Sequence, residues 1–128
     1  MPKEIQPVVV GRGMAGQAVL KSLAMIPHLD AELEVLPPVL VTRGNPLKEY
    51  AASSGVPLLF LVNPTGLHAR TIIEGEAAGF PSIVADKPVC VSLNELDELR
   101  SIKIPVSVLH GYRVAWGPQT IKKMIDAG

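Results

Sequence analysis

The sequence predicts an α/β fold, a doubly wound parallel sheet of about five strands with helices on both faces. Three observations lead there. Short apolar runs alternate with helical periodicities along the whole chain, the pattern of parallel strands joined by crossover helices. Aromatic residues are scarce, at 4%, so Val, Leu, Ile and Ala must fill the interior, as suits strands buried on both faces. The length of 128 residues, with 48% hydrophobic and 19% charged residues, fits one folded domain, residues 1–128.

The elements follow in order. Ile5 to Val10 reads as a buried strand, Gly11 to Gly16 as a turn, and Met14, Ala18, Leu20 and Leu23 as the apolar side of a first helix. Pro38 to Thr42 is a second β-branched run, and Pro46 opens a helix with Leu47, Tyr50 and Ala51. Leu58 to Val62 is the most apolar stretch. An Asn63-Pro64-Thr65-Gly66 turn and a helix from Leu67 to Ala78, stopped by Gly79, come after it. Ser82 to Ala85 is a fourth strand, and Ser92 with Glu95 marks the start of a helix bearing Leu93, Leu96, Leu99 and Ile102. Ile104 to Leu109 is the fifth strand, and Pro118 opens a last helix with Ile121, Met124 and Ile125 on one side.

Charge and cysteine content exclude several classes. Twelve basic and twelve acidic residues cancel, so there is no basic field to hold a nucleic-acid backbone. Cys90 is the single cysteine, which leaves no internal disulfide and no cysteine metal cage. No apolar run approaches the roughly 18–20 residues of a membrane span, and no signal peptide is read at the start. A cytoplasmic protein without metal, membrane or nucleic-acid partners is expected.

The chemistry lies in loops at the strand ends. Gly11-Arg12-Gly13-Met14-Ala15-Gly16 is a G-x-G-x-x-G directly after a strand. Such glycines permit a tight turn, close approach of a pyrophosphate to backbone, and close helix–strand contact, while the helix N-terminus offers N–H donors. A glycine turn without a ligand is the plain alternative. The acidic residue that binds the ribose of NAD is expected after strand two, where this chain reads Thr42-Arg43-Gly44-Asn45. Arg43, with Arg12 nearby, suits a 2′-phosphate, so NADP is expected and NAD is the alternative. Asn63, Pro64, Thr65 and His68 follow strand three, and Asp86, Lys87 and Pro88 follow strand four. Lys87 there is placed to polarise a carbonyl, and His68 has the pKa range for proton transfer; a surface ion pair and a structural histidine are the competing readings. His110, Tyr112 and Arg113 end strand five.

In this order, the glycine fingerprint, Pro64 to His68, Asp86 to Pro88, and Tyr112 to Gly128 resemble the N-terminal Rossmann domain of the glucose-fructose oxidoreductase and inositol dehydrogenase (Gfo/Idh/MocA) family. The resemblance covers nearly the whole chain. It implies a nicotinamide-dependent oxidoreductase acting on a sugar, polyol or related hydroxy compound, with Lys87 beside nicotinamide and substrate, and His68 and Tyr112 as further candidate catalytic groups. Thr65 stands where the family usually has Asn, and Asp86 where it has Glu. One β-α unit of the family pattern is missing between the second helix and Asn63. With right-handed connections this leaves a compact sheet of order 2-1-3-4-5, its second helix on the face opposite the first. The family's C-terminal substrate domain would begin about where this sequence ends.

Function therefore divides three ways: the cofactor-binding domain of such an oxidoreductase, a non-catalytic nucleotide-binding or sensing module, or a structural relic. The apolar side of the last helix favours either packing on the sheet or self-association, so a homodimer or a separate substrate-domain partner is expected alongside the dinucleotide.

Overall fold

In the computed structural model the described residues are 2–26 and 31–128, without the Tyr112 side chain. The first apolar run forms the longest strand, β1 (Lys3–Val10), and the rest of the sheet is registered on it. On one side β1 pairs with β2 (Leu33–Val35) and β3 (Val39–Leu40). On the other it pairs along most of its length with β4 (Val56–Leu61), then β5 (Ile83–Asp86) and β6 (Val106–Leu109). Every pairing is parallel, and the order is β2-β1-β4-β5-β6 with β3 continuing the β2 edge. Counting β2 and β3 as one interrupted strand gives the expected 2-1-3-4-5.

The interruption corrects the expected single strand from Pro38 to Thr42. Pairing begins earlier, at Leu33, and breaks at Leu36-Pro37-Pro38, because proline has no N–H to give to the ladder. Gln6 spans the gap, its amide donating to the Pro37 carbonyl at 2.9 Å. The fifth strand starts two residues later than expected for a similar reason. The Glu76 carboxylate takes the N–H groups of Lys103 and Ile104, at 2.7 and 3.2 Å, so this stretch is tied to a helix end before the ladder begins.

Among the described residues, α1 (Met14–Met25), α2 (Lys48–Ala51), α3 (His68–Ala78) and α4 (Leu93–Leu99) connect the strands, and α5 (Trp116–Ala127) follows β6. Ser92 caps α4 by accepting from the Glu95 N–H at 3.2 Å, while the Glu95 carboxylate accepts from the Val91 N–H at 2.7 Å. Gly79 ends α3 in the left-handed region, φ 97°. Helix α5 begins two residues ahead of Pro118, which lies in its first turn rather than opening it.

Two apolar layers form. Val8, Leu59, Leu61, Ile72, Ile83 and Phe80 make the larger, beneath α2, α3 and α4. Val9, Val62 and Leu23 make the smaller, beneath α1. Alternation along β1 sends Val8 to one face and Val9 to the other, and the helices before and after the reversal at β1 lie on opposite faces as right-handed connections require. Among the described residues no helix is long and apolar enough to cross a membrane.

Leu59 is fully buried and touches the backbone side of α3, where a Cβ on Gly75 would stand 2.7 Å from its Cδ2. Leu59→Ala is expected to lower unfolding free energy by about 2–5 kcal/mol. Leu93→Ala, on an exposed side chain of α4, should change it by less than about 0.5 kcal/mol. Urea denaturation followed by circular dichroism checks both.

Candidate functional site

Parallel pairing brings every loop singled out in the sequence to one edge. The register pairs Val9 with Leu40, Val10 with Leu61, Leu61 with Ala85, and Asp86 with Leu109. The loops that follow therefore emerge side by side in the order Arg43, Arg12, Asn63, Lys87, His110. At about 4.8 Å per strand spacing, the row spans roughly 19 Å. The switch point at which open α/β sheets bind ligands lies between the carboxyl ends of β1 and β4, where the chain leaves β1 one way through α1 and returns to β4 the other way through α2.

The glycine turn at that point is shaped by close backbone approach. Gly11 has φ 119°, and a Cβ there would lie 2.4 Å from the Val62 carbonyl oxygen. A Cβ on Gly16 would lie 2.5 Å from the Gly11 carbonyl oxygen, so α1 rests directly on the turn. Gly13 differs: a Cβ there would meet nothing within 4 Å, and the turn is open above it. Gly13 is also the N-cap of α1, with no side-chain cap and no acidic residue in the first turn. The first N–H groups and the positive end of α1 thus face open space, where an anion is favoured. Met14 is exposed and Ala15 half-buried in that same turn.

Arg43 sits in a turn closed by the Asn45 N–H donating to the Thr42 carbonyl at 3.1 Å. The Tyr50 hydroxyl holds this turn to α2, accepting from the Thr42 N–H and from the Asn45 amide, each at 3.2 Å. The Thr42 bond first, then Asn45, lowers the Tyr50 phenol pKa below its ordinary value, because both donors favour the phenolate. Helical periodicity alone puts Tyr50 on the apolar side of a short helix; the signal for more is its polar tip, which seeks a partner next to a Thr-x-x-Asn turn.

On the other side of β1, Asn63 donates through Nδ2 to the Thr71 hydroxyl at 3.2 Å, which donates to the Leu67 carbonyl at 2.7 Å. Its Oδ1 is buried with no hydrogen-bond partner among the described residues. Pro64 and Thr65 lead into a 3-10 turn, Thr65–Leu67, ahead of α3. His68 is 1% exposed. Nδ1 lies 2.8 Å from the Pro88 carbonyl and Nε2 lies 2.8 Å from the Asn63 carbonyl. A neutral imidazole donates to one of these and the protonated ring to both. In either form both nitrogens face backbone oxygens, so His68 fastens the Lys87-Pro88 turn to the Asn63 loop and presents no ring nitrogen to the open edge.

Asp86 turns its carboxylate to the Lys87 N–H at 2.9 Å. The Lys87 side chain is exposed, and the ion pairs Arg70–Glu74, Arg100–Asp97 and Lys122–Asp126 leave Lys87, Arg12 and Arg43 outside them. Arg113 lies in a 3-10 turn, Gly111–Arg113, beyond β6; the Tyr112 side chain is outside the described structure. The edge thus unites the glycine turn, Arg43, the Asn63 loop and Lys87, and sets His68 beneath them.

No protein-family model and no curated protein matches the sequence. Among solved structures, the chain is similar to "putative oxidoreductase yvaA from Bacillus subtilis", with a TM-score of 0.74 and 20% identity. The match covers 100% of this chain and 41% of that one. At this identity the likeness is one of fold: a parallel α/β sheet of Rossmann type, also found in a protein named as an oxidoreductase. This chain spans less than half of that protein's length.

If Tyr50 holds the arginine turn, Tyr50→Phe removes both bonds to the turn. A pH titration of tyrosinate absorbance should show one of the two tyrosines ionising below the ordinary phenol value, and Tyr50→Phe should abolish that component. Two tyrosines titrating normally in the unsubstituted chain would count against the latch.

Proposed function

We propose that this chain is a dinucleotide-binding domain of the oxidoreductase type, with NADP preferred over NAD. The observation that carries the reading is the open Gly13 position above the uncapped N-terminus of α1. Gly11 and Gly16 are filled by neighbouring backbone, whereas Gly13 faces space where a pyrophosphate would take the free N–H groups. The row of loops supports an orientation. Arg43, and Arg12 beside it, suit a 2′-phosphate at the β3 end, where a guanidinium can make two parallel bonds. Lys87 stands at the other end, with a charge free to steady a developing alkoxide or carbonyl oxygen.

When bound, a nicotinamide dinucleotide supplies hydride transfer. The chain's own residues bind and orient: the turn amides hold phosphate, Tyr50 sets the arginine turn, and His68 sets the height of the Lys87-Pro88 turn. Lys87 is the first candidate catalytic group and Tyr112 a second, and His68 is better placed as a positioning residue. The motif order supports membership of the Gfo/Idh/MocA family and a hydroxy-compound substrate such as a sugar or polyol. A second reading, a binding module without turnover, is favoured by one feature: both nitrogens of His68 are committed to carbonyl oxygens, which leaves the edge short of a proton-transfer group.

Calorimetric titration with NADPH and NADH tests the reading. NADPH should bind, and Arg43→Glu should weaken it by about tenfold or more, the worth of one charge-assisted bond, with less effect on NADH. Gly13→Asp should abolish binding of both, because its carboxylate takes the helix amides and repels phosphate. The same substitution should leave the melting temperature of the free protein unchanged or raised, since Asp is a good N-cap at a positive helix end. No heat with either nucleotide would overturn the proposal. Binding without substrate-dependent oxidation of the cofactor would favour the non-catalytic module.

A further inference from the structure

The carboxyl edge continues into a groove on the α1 face of the sheet. On the opposite face Leu59 and Leu61 are fully buried beneath helices. Phe60, between them in β4, points to the α1 side and is only half-buried, and a groove of about 1220 Å³ opens there. One wall runs along α1 from Ala15 to Ile26, about 16 Å of helix. The space is ample for a small molecule, since such sites hold roughly 300–1,000 Å³, and its length suits a chain better than a single ring.

The groove is aliphatic along its length and charged only at its mouth. Val19, Leu23, Phe60 and Val62 line the length. Ser22, on the α1 wall, spends its hydroxyl proton on the Ala18 carbonyl at 2.9 Å. At the mouth, on the carboxyl edge, stand Asp86, Lys87, His110 and Arg113. Asp86 accepts from the Lys87 N–H. Lys87 and Arg113 are exposed and take part in none of the ion pairs among the described residues. With His110 neutral, these two cations and the one carboxylate leave a charge of +1 at the mouth. A sugar or polyol in the groove would lay its hydroxyls against aliphatic walls, where each unpaired polar group costs free energy.

We infer that the substrate is a hydroxy acid with an aliphatic chain, its carboxylate held by Lys87 and Arg113 and its chain laid in the groove beside α1. The charge of +1 complements a monoanionic carboxylate rather than a dianionic phosphate, and a guanidinium meets a carboxylate with two parallel bonds. Lys87 stands both at the mouth and at the end of the loop row away from Arg43, so the reacting carbon is the one next to the carboxylate. The inference rests on the dinucleotide reading for the reaction itself, whereas filling of the groove does not require the nucleotide.

Calorimetric titration of the full chain, with and without NADPH, tests it with 2-hydroxybutyrate, 2-hydroxyhexanoate, 2-hydroxyoctanoate and 2-hydroxydecanoate. Affinity should rise about fourfold for each added methylene, the worth of its burial, until the groove is full. Arg113→Gln should weaken binding of 2-hydroxyoctanoate by about tenfold or more. Ala18→Glu, at an exposed position on the groove wall, should keep the fold by circular dichroism and flatten the series. A flat series with the unsubstituted chain would overturn the inference. So would a steep series indifferent to Arg113→Gln in which octane-1,2-diol binds as well as 2-hydroxyoctanoate, since that is apolar adsorption without a carboxylate site. NADPH binding with a flat series would leave the dinucleotide reading standing and remove this one; a steep, Arg113-dependent series without NADPH binding would do the reverse.

Discussion

Backbone meets backbone at the end of β1, and the arrangement of the site depends on it. Gly11 lies so close to Val62 and Gly16 so close to Gly11 that no side chain fits at either position. This double approach brings the end of β1, the start of α1 and the end of β4 to one point. It also fixes where the amides of α1 emerge, because the helix cannot be lifted from the turn without opening the contact. The parallel register then transmits the position outward, strand by strand, so that the Arg43, Asn63 and Lys87 loops share one edge.

The secondary bonds around the edge work on the same scale. Tyr50 ties one flanking turn to α2, and His68 ties the loops after β4 and β5 together. Glu76 fixes the approach to β6. Each joins groups far apart in sequence or closes a turn that strand pairing does not reach. The loops are therefore held by side-chain bonds to a rigid sheet, which is how a binding edge keeps its geometry without regular structure of its own. Among the described residues the edge cations Arg12, Arg43 and Lys87 take part in none of the ion pairs, and they are the groups available to an anionic ligand.

Much of this was legible in the sequence, for definite reasons. Strand and helix alternation gave the layer order, and the glycine spacing gave the turn, because only small residues fit backbone-to-backbone contact. Connection handedness gives the strand order once the missing β-α unit of the family pattern is allowed for. The break between β2 and β3 was harder to place: Pro37 and Pro38 signal a break, but pairing upstream at Leu33 depends on β1 extending to Lys3. The Tyr50 latch and the burial of His68 are tertiary facts, since the same residues in the same loops could equally have faced solvent.

The most direct test of the account is amide hydrogen exchange with and without NADPH. The account predicts slowed exchange centred on residues 11–17, with smaller protection at 42–45 and 86–89, and little change in α4. Unchanged exchange through the glycine turn at saturating nucleotide, or protection confined to surfaces away from the carboxyl edge of the sheet, would contradict it.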